Sequence, residues 1–359
     1  MSTSDRTQDP TISRRNILGA PLALGVASMA AAPALLATGE ARAEEGHPRI
    51  DPQYYPLKKF DPDISLQGKL AVITGASRGN GRAIGEALQA LGANVIGTSR
   101  NPAAVPNPPA FPLLQLDIAD PASVLAFPAQ LAAHSLFQQR GYVDILCNNA
   151  GRLVVGQIAP QVDPALYFAQ RDLAVRTLYS GHVMVTNAML PLIHNSGYAR
   201  IVFTVSIASY YTGFAQPGGS FMDAYNAGKA ALRGYANALA GGLRDAGSHI
   251  RVSTVNPYAI NTALALHPNP IYTQPVAANG LSPTDPIFNA VIGGFRQALA
   301  NGQPPSRVGD TYGQLLRMSE PPLNVVVASP REPFATQGAN ALIEPGLLAE
   351  NEVSAVPFR

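Results

Sequence analysis

The stretch Leu70-Ala71-Val72-Ile73-Thr74-Gly75-Ala76-Ser77-Arg78-Gly79-Asn80-Gly81 decides the fold. A short apolar run of β type enters a glycine-rich turn, and the chain leaves it as a helical pattern over Arg82–Leu91. Ile84, Leu88 and Leu91 share one face of that pattern, and Gly92 stops it. Ala93 to Thr98 reads as the next strand and closes a βαβ unit. Glycines at such a turn let the backbone approach a pyrophosphate whose charge faces the helix N-terminus. Taken alone the turn is weak support for a nucleotide, because any tight strand-to-helix connection favours glycine.

Further strands read at Leu113–Ile118, Val143–Asn148, Ile201–Ile207, Ile250–Val255 and Asn324–Ala328. Helical stretches separate them, the longest at 163–194 and 222–246, and two more read at Ile287–Leu299 and Val308–Met318. Continuous apolar strands alternating with helices imply an α/β class protein: a Rossmann-like, doubly wound parallel sheet with helices on both faces, in a single domain. Composition agrees. The 359 residues are 47% hydrophobic and 13% charged, which excludes a disordered chain. A net charge of +2, with no basic cluster interleaved with aromatics, speaks against a nucleic-acid partner. Cys147 is the only cysteine, so no internal disulfide forms, and the six histidines lie too scattered to suggest a metal site.

The first residues carry an address. Ser13-Arg14-Arg15 precedes an uncharged run from Ile17 to Gly39, and Ala41-Arg42-Ala43 then offers a small-x-small cleavage site. The paired arginines resemble a twin-arginine export signal. The rival is a membrane anchor, but Pro21, Pro33 and many alanines make the run a weak span. The expected organisation is an export signal over 1–43, an extended arm over 44–66, a Rossmann-fold domain over 67–330 and a C-terminal extension over 331–359. Cleavage near Ala43 would make the protein periplasmic or exported, with no stable membrane span and the twin-arginine machinery as a partner.

Five motifs in order resemble the short-chain dehydrogenase/reductase family. Thr74, Gly75, Gly79 and Gly81 match its TGxxxGxG, and Asn148-Asn149-Ala150-Gly151 its NNAG. Ser206 matches the serine after the fifth strand, Tyr225 and Lys229 match YxxxK, and Asn256-Pro257-Tyr258 stands for the usual NPG. The resemblance spans about residues 66–265 and implies an NAD(P)-dependent oxidoreductase interconverting an alcohol and a carbonyl. It implies Ser206, Tyr225 and Lys229 as catalytic residues. The implied cofactor site comprises Gly75, Ser77, Arg78, Gly79, Asn80, Gly81, Arg100, Asp117, Ile118, Asn148, Asn149, Ala150, Gly151, Tyr225, Lys229, Pro257, Ile260 and Thr262. Family members are commonly oligomers, which makes a homo-oligomer the expectation.

The chemistry can be argued from the residues as well. Tyr225 and Lys229 lie four apart and share a helix face. Bringing a phenol from pKa about 10 toward neutrality requires about 4 kcal/mol of preferential phenolate stabilisation. A neighbouring ammonium and a cofactor's positive charge act in that direction. Tyr225 then exchanges a proton with the substrate oxygen, while Ser206 hydrogen-bonds the same oxygen. The bland readings are an amphipathic surface pair for Tyr225 and Lys229 and a turn cap for Ser206. Asn148 and Asn149 could merely end a strand, and Asp117 either caps a turn with Ala119–Ser123 or contacts the adenine. Thr98-Ser99-Arg100 puts a cation where a carboxylate would select NAD; with Arg78 it favours NADP(H) over NAD(H).

The chain also departs from the family pattern. Counting back from Pro191 and from Gly181 to the usual relay asparagine lands on Leu178, and a two-residue shift reaches Arg176. An aromatic, glycine-hinged insertion, Tyr210 to Gly219, lengthens the path from Ser206 to Tyr225, and a proline-rich substrate loop is expected at about 258–286. Two other functions stay open on sequence: a nucleotide-binding module without turnover, and an epimerase or dehydratase on the same fold.

Overall fold

Every residue of β1 (Leu70–Ile73) is buried, and its side chains divide between two cores. Leu70 and Val72 enter one, Ala71 and Ile73 the other, as the two-residue period of a strand requires. The same division repeats along β4 (Ile145–Asn148), where Leu146 joins the first core and Ile145 and Cys147 the second. A sheet that is apolar on both faces needs helices on both. The computed structural model describes residues 63–153, 164–210, 223–264, 297, 299–327 and 353–355.

The remaining strands are β2 (Asn94–Ser99), β3 (Leu113–Gln115), β5 (Arg200–Thr204), β6 (Arg251–Pro257), β7 (Asn324–Val327) and β8 (Val353–Ala355). All pair in parallel in the order β3-β2-β1-β4-β5-β6-β7-β8. The doubly wound, Rossmann-like reading therefore holds, with the order reversing between β1 and β4. A crevice opens at such a reversal, beyond the carboxyl ends of the strands.

The helices are α1 (Gly79–Ala90), α2 (Pro121–Ala132), α3 (Ser135–Arg140), α4 (Pro164–Val175), α5 (Gly181–His194), α6 (Asp223–Asp245) and α7 (Ser306–Leu315). Val124 and Phe127 of α2, Val185 and Met189 of α5, and Leu232 of α6 fill the first core. Ile84 and Leu88 of α1 and Val308, Tyr312 and Leu315 of α7 fill the second. α1 and α7 lie close together, because a Cβ on Gly309 would stand 2.5 Å from the Ala83 carbonyl oxygen.

Three details differ from the sequence reading. β3 ends at Gln115, since the Asp117 amide turns to donate to Ser123 Oγ at 2.9 Å. The long helix read at 163–194 is interrupted by one π-helical turn, Arg176–Ser180, between α4 and α5. The stretch read as an extension over 331–359 contributes β8, whose Ser354 pairs with Val325 of β7. The export signal, most of the arm, and the helix read at Ile287–Leu299 apart from Gln297 and Leu299 lie outside the described residues. Among the described residues no helix is long and apolar enough to cross a membrane.

Candidate active site

The β1–α1 turn is shaped by the absence of side chains. Gly75 has φ +67°, and a Cβ on it would lie 2.8 Å from the Ala150 Cα. A Cβ on Gly81 would lie 2.3 Å from the Gly75 carbonyl oxygen and 2.5 Å from Asn149 Nδ2. Thr74 ties this turn to the end of β4: its Oγ1 accepts from the backbone amides of Asn149 and Ala150, both at 2.9 Å. Asn149 Nδ2 donates back to the Thr74 carbonyl at 3.1 Å and the Gly75 carbonyl at 3.3 Å. Thr98 Oγ1 accepts from the Gly75 amide at 3.2 Å, binding β2 to the same turn.

Residues from distant stretches meet here. Thr262 reaches the turn, 3.5 Å from where a Gly79 Cβ would stand. Arg78 and Arg100 face one another's field: partial burial, then the Arg100 charge, hold the Arg78 guanidinium below its usual range. Asn148 is fully buried and points away from the crevice, its Nδ2 donating to Thr186 Oγ1 at 3.0 Å. This bond holds its side chain at the end of β4. Asp117 likewise caps its own turn, its Oδ1 accepting from the Ala119 amide at 2.9 Å. Ile118 and Ile260 are buried, the latter bridged to Gln303.

Across the crevice, Ser206 follows β5 and caps a short 3₁₀ turn, with its Oγ accepting from the Ala208 amide at 3.1 Å. Tyr225 and Lys229 stand one turn apart on α6, both buried, with Lys229 Nζ 6.0 Å from the Tyr225 ring centre. Lys229 Nζ donates to the Thr204 carbonyl at 2.8 Å. The surface-pair reading of Tyr225 and Lys229 therefore fails. Burial pushes Lys229 down to about 7. Burial also pushes the Tyr225 phenol up, opposed by a hydrogen bond with Ser206. In the protein alone the phenol is thus not lowered as the sequence reading expected, because desolvation outweighs the neighbouring groups.

Leu178 lies in the π turn, fully buried. A Cβ on Gly228 would lie 2.8 Å from its Cβ, and one on Gly151 would lie 3.6 Å from its Cδ2 and 3.7 Å from Lys229 Nζ. Leu178, and not Arg176, therefore borders the lysine. Arg176 points outward and pairs with Asp172 at 2.7 Å.

Sequence reasoning missed His182, one turn beyond Leu178. It is fully buried, and burial followed by the Lys229 charge pushes it down to about 3, opposed by a hydrogen bond with the Ala150 backbone. No local signal marks it, since an isolated histidine in an apolar helix reads as core. Among the described residues no cluster of metal-ligating side chains occurs. Of the aromatic insertion only Tyr210 is described, with the Arg233 guanidinium 3.9 Å over its ring; 211–219 and the loop at 265–286 lie outside the described residues.

This crevice, with a glycine turn on one bank and a serine, tyrosine and lysine on the other, has a counterpart among known proteins. The model of the short chain dehydrogenase family matches residues 69–270. The chain belongs to that family. As a short-chain dehydrogenase/reductase it is 30% identical to a dehydrogenase/reductase SDR family protein 7-like of Drosophila melanogaster, over 76% of each chain. A short-chain dehydrogenase from Streptomyces avermitilis superposes with a TM-score of 0.56 at 27% identity, over 76% of this chain and 93% of the other. A Burkholderia phymatum short-chain dehydrogenase/reductase solved in complex with NAD shares the fold with a TM-score of 0.60 at 21% identity, covering 82% of this chain and all of its own. The protein is an oxidoreductase enzyme of this family.

Proposed function

We propose that the protein interconverts an alcohol and a carbonyl with NADP(H), using Tyr225 as the proton-exchanging group. The observation that carries this reading is the buried convergence of Ser206, Tyr225 and Lys229 opposite a turn that excludes side chains. The turn fits a dinucleotide: the N-terminus of α1 has no side-chain cap and no acidic residue in its first turn, and Asn80 Oδ1 is buried without a partner. Gly75, Gly79, Gly81 and Thr262 would hold the pyrophosphate, and Arg78 and Arg100 a 2′-phosphate. When bound, the nicotinamide supplies or accepts the hydride.

Tyr225 gives its phenolic proton to a carbonyl oxygen in reduction and takes one from the hydroxyl in oxidation. The Ser206 hydroxyl donates to the same oxygen as charge develops on it. Lys229, fixed by the Thr204 carbonyl, presents its charge to the phenolate and to the cofactor ribose. Because burial disfavours that charge, the ammonium form persists where an opposite charge meets it. Leu178 offers the lysine no polar group, so the family's usual asparagine relay is absent from this site.

Arg14-Arg15 and Ala41-Arg42-Ala43 support export of the folded chain with cofactor bound, and recycling of that cofactor by a second substrate. The test is to purify the processed protein from a bacterial host competent for twin-arginine export, denature it and identify the nucleotide released. NADP(H) near one per chain is the expected result. NAD(H) would contradict the preference, and an empty chain that binds NADP only at millimolar concentration would contradict export with cofactor.

A further inference from the structure

Three side chains from separate parts of the sequence form one hydrogen-bonded line behind the crevice, which ends on the backbone carbonyls of the glycine turn. Tyr312 of α7 is fully buried, with its hydroxyl 2.6 Å from Thr204 Oγ1. Thr204 Oγ1 lies 3.1 Å from Asn149 Oδ1, and Asn149 Nδ2 donates to the Thr74 and Gly75 carbonyls. The amide nitrogen of Asn149 is thus spent on the glycine turn, which leaves its oxygen facing Thr204. A threonine hydroxyl has one proton. Thr204 gives that proton to Asn149, so Tyr312 is the donor to Thr204, and every bond in the line runs toward the turn. Burial holds the Tyr312 phenol well above its usual value, which keeps the donated proton in place.

Thr204 also acts through its backbone, because its carbonyl accepts Lys229 Nζ at 2.8 Å. One residue therefore holds the glycine turn by its side chain and the lysine by its main chain. Tyr312 lies beyond the segment matched to the family, 69–270.

We propose that Tyr312 is a positioning residue for the reaction, one that sets the cofactor turn and the Lys229 anchor in a common register from the C-terminal part of the chain. This rests on the reading of the crevice as a nicotinamide site. The test is the NADPH affinity of the full chain, followed by fluorescence, for the parent, Tyr312→Phe, Asn149→Ala and the double variant. Tyr312→Phe is expected to weaken NADPH about fivefold, the equivalent of one net hydrogen bond. The double variant is expected to bind no more weakly than Asn149→Ala alone, because both cut the same line.

Unchanged affinity in Tyr312→Phe, even with a lower melting temperature, would overturn the inference. So would a double variant whose loss is the product of the two single losses. If Tyr312→Phe does not fold, Thr204→Val breaks the line one bond further on and is held to the same outcomes, with Thr204→Ser expected to match the parent. A parent chain that binds neither NADPH nor NADH would remove the nicotinamide reading and this inference together. A parent that binds and a Tyr312→Phe that binds equally well would remove the inference alone.

Discussion

The two banks of the crevice are held in place by different physics. On the cofactor bank the β1–α1 turn is fixed by steric exclusion, with neither Gly75 nor Gly81 leaving room for a Cβ. On the reaction bank Ser206, Tyr225 and Lys229 are held by polar contacts in buried surroundings, among them the bond from Lys229 to the Thr204 carbonyl at 2.8 Å. A bank defined by close contact fails when an atom is added. One defined by desolvated polar groups fails when a proton or charge is lost, while the fold survives.

Substitutions can break this contrast, and the largest effect is expected on the reaction bank. Tyr225→Phe should lower turnover by about 10²- to 10⁴-fold while leaving NADPH affinity and melting temperature near the parent's. A large loss of nucleotide affinity in this variant would mean that the banks are not separable. Gly81→Ala should do the opposite, costing roughly 1–3 kcal/mol or more of stability and with it nucleotide binding. Thermal unfolding with and without NADPH checks this, and a stable Gly81→Ala that binds normally would show that the turn is not sterically set.

Lys229 sharpens the comparison through pH. In the unfolded chain its ammonium persists to about pH 10, whereas burial brings the folded value down to about 7. Between those values the folded chain binds fewer protons, so stability rises with pH there. The cost of burying the charge is complete below about pH 7 and fades toward pH 10. The stability of Lys229→Met relative to the parent should therefore be greatest at acid pH and decline across that window; a difference independent of pH would contradict the burial of a charged lysine. The smallest effect is expected outside both banks. Arg82 and Glu86 pair at 2.7 Å on the outer face of α1 with half-exposed side chains, and Glu86→Ala should change stability by less than about 0.5 kcal/mol.

The same contrast explains what could be read from the sequence. Steric constraints on a turn leave glycines at fixed spacing, so Gly75, Gly79 and Gly81 were legible at once, and the strand-to-helix order around them carried the fold. Tyr225 and Lys229 were legible because a helix places such a pair on one face. Their supporting groups were not. Thr204 and Tyr312 meet across 108 positions and Thr74 and Asn149 across 75, and no local period marks such partners. Asn148 and Asn149 read alike as a motif, yet alternation along the chain end sends one into the core and the other to the turn. Leu178 was reached by counting along the chain, but its place in the π turn beside Gly228 was not, and His182 carried no pattern at all.

The central claim is that Tyr225 exchanges the proton in a hydride transfer whose cofactor sits in the Gly75–Gly81 turn. It is tested most directly by following NADPH oxidation by the protein against a panel of aldehydes and ketones, beside Tyr225→Phe at the same saturating NADPH. The account predicts oxidation by the parent with at least one carbonyl, and a Tyr225→Phe variant that binds NADPH equally well but turns over at least about a hundredfold more slowly. Equal rates for the two proteins would contradict it.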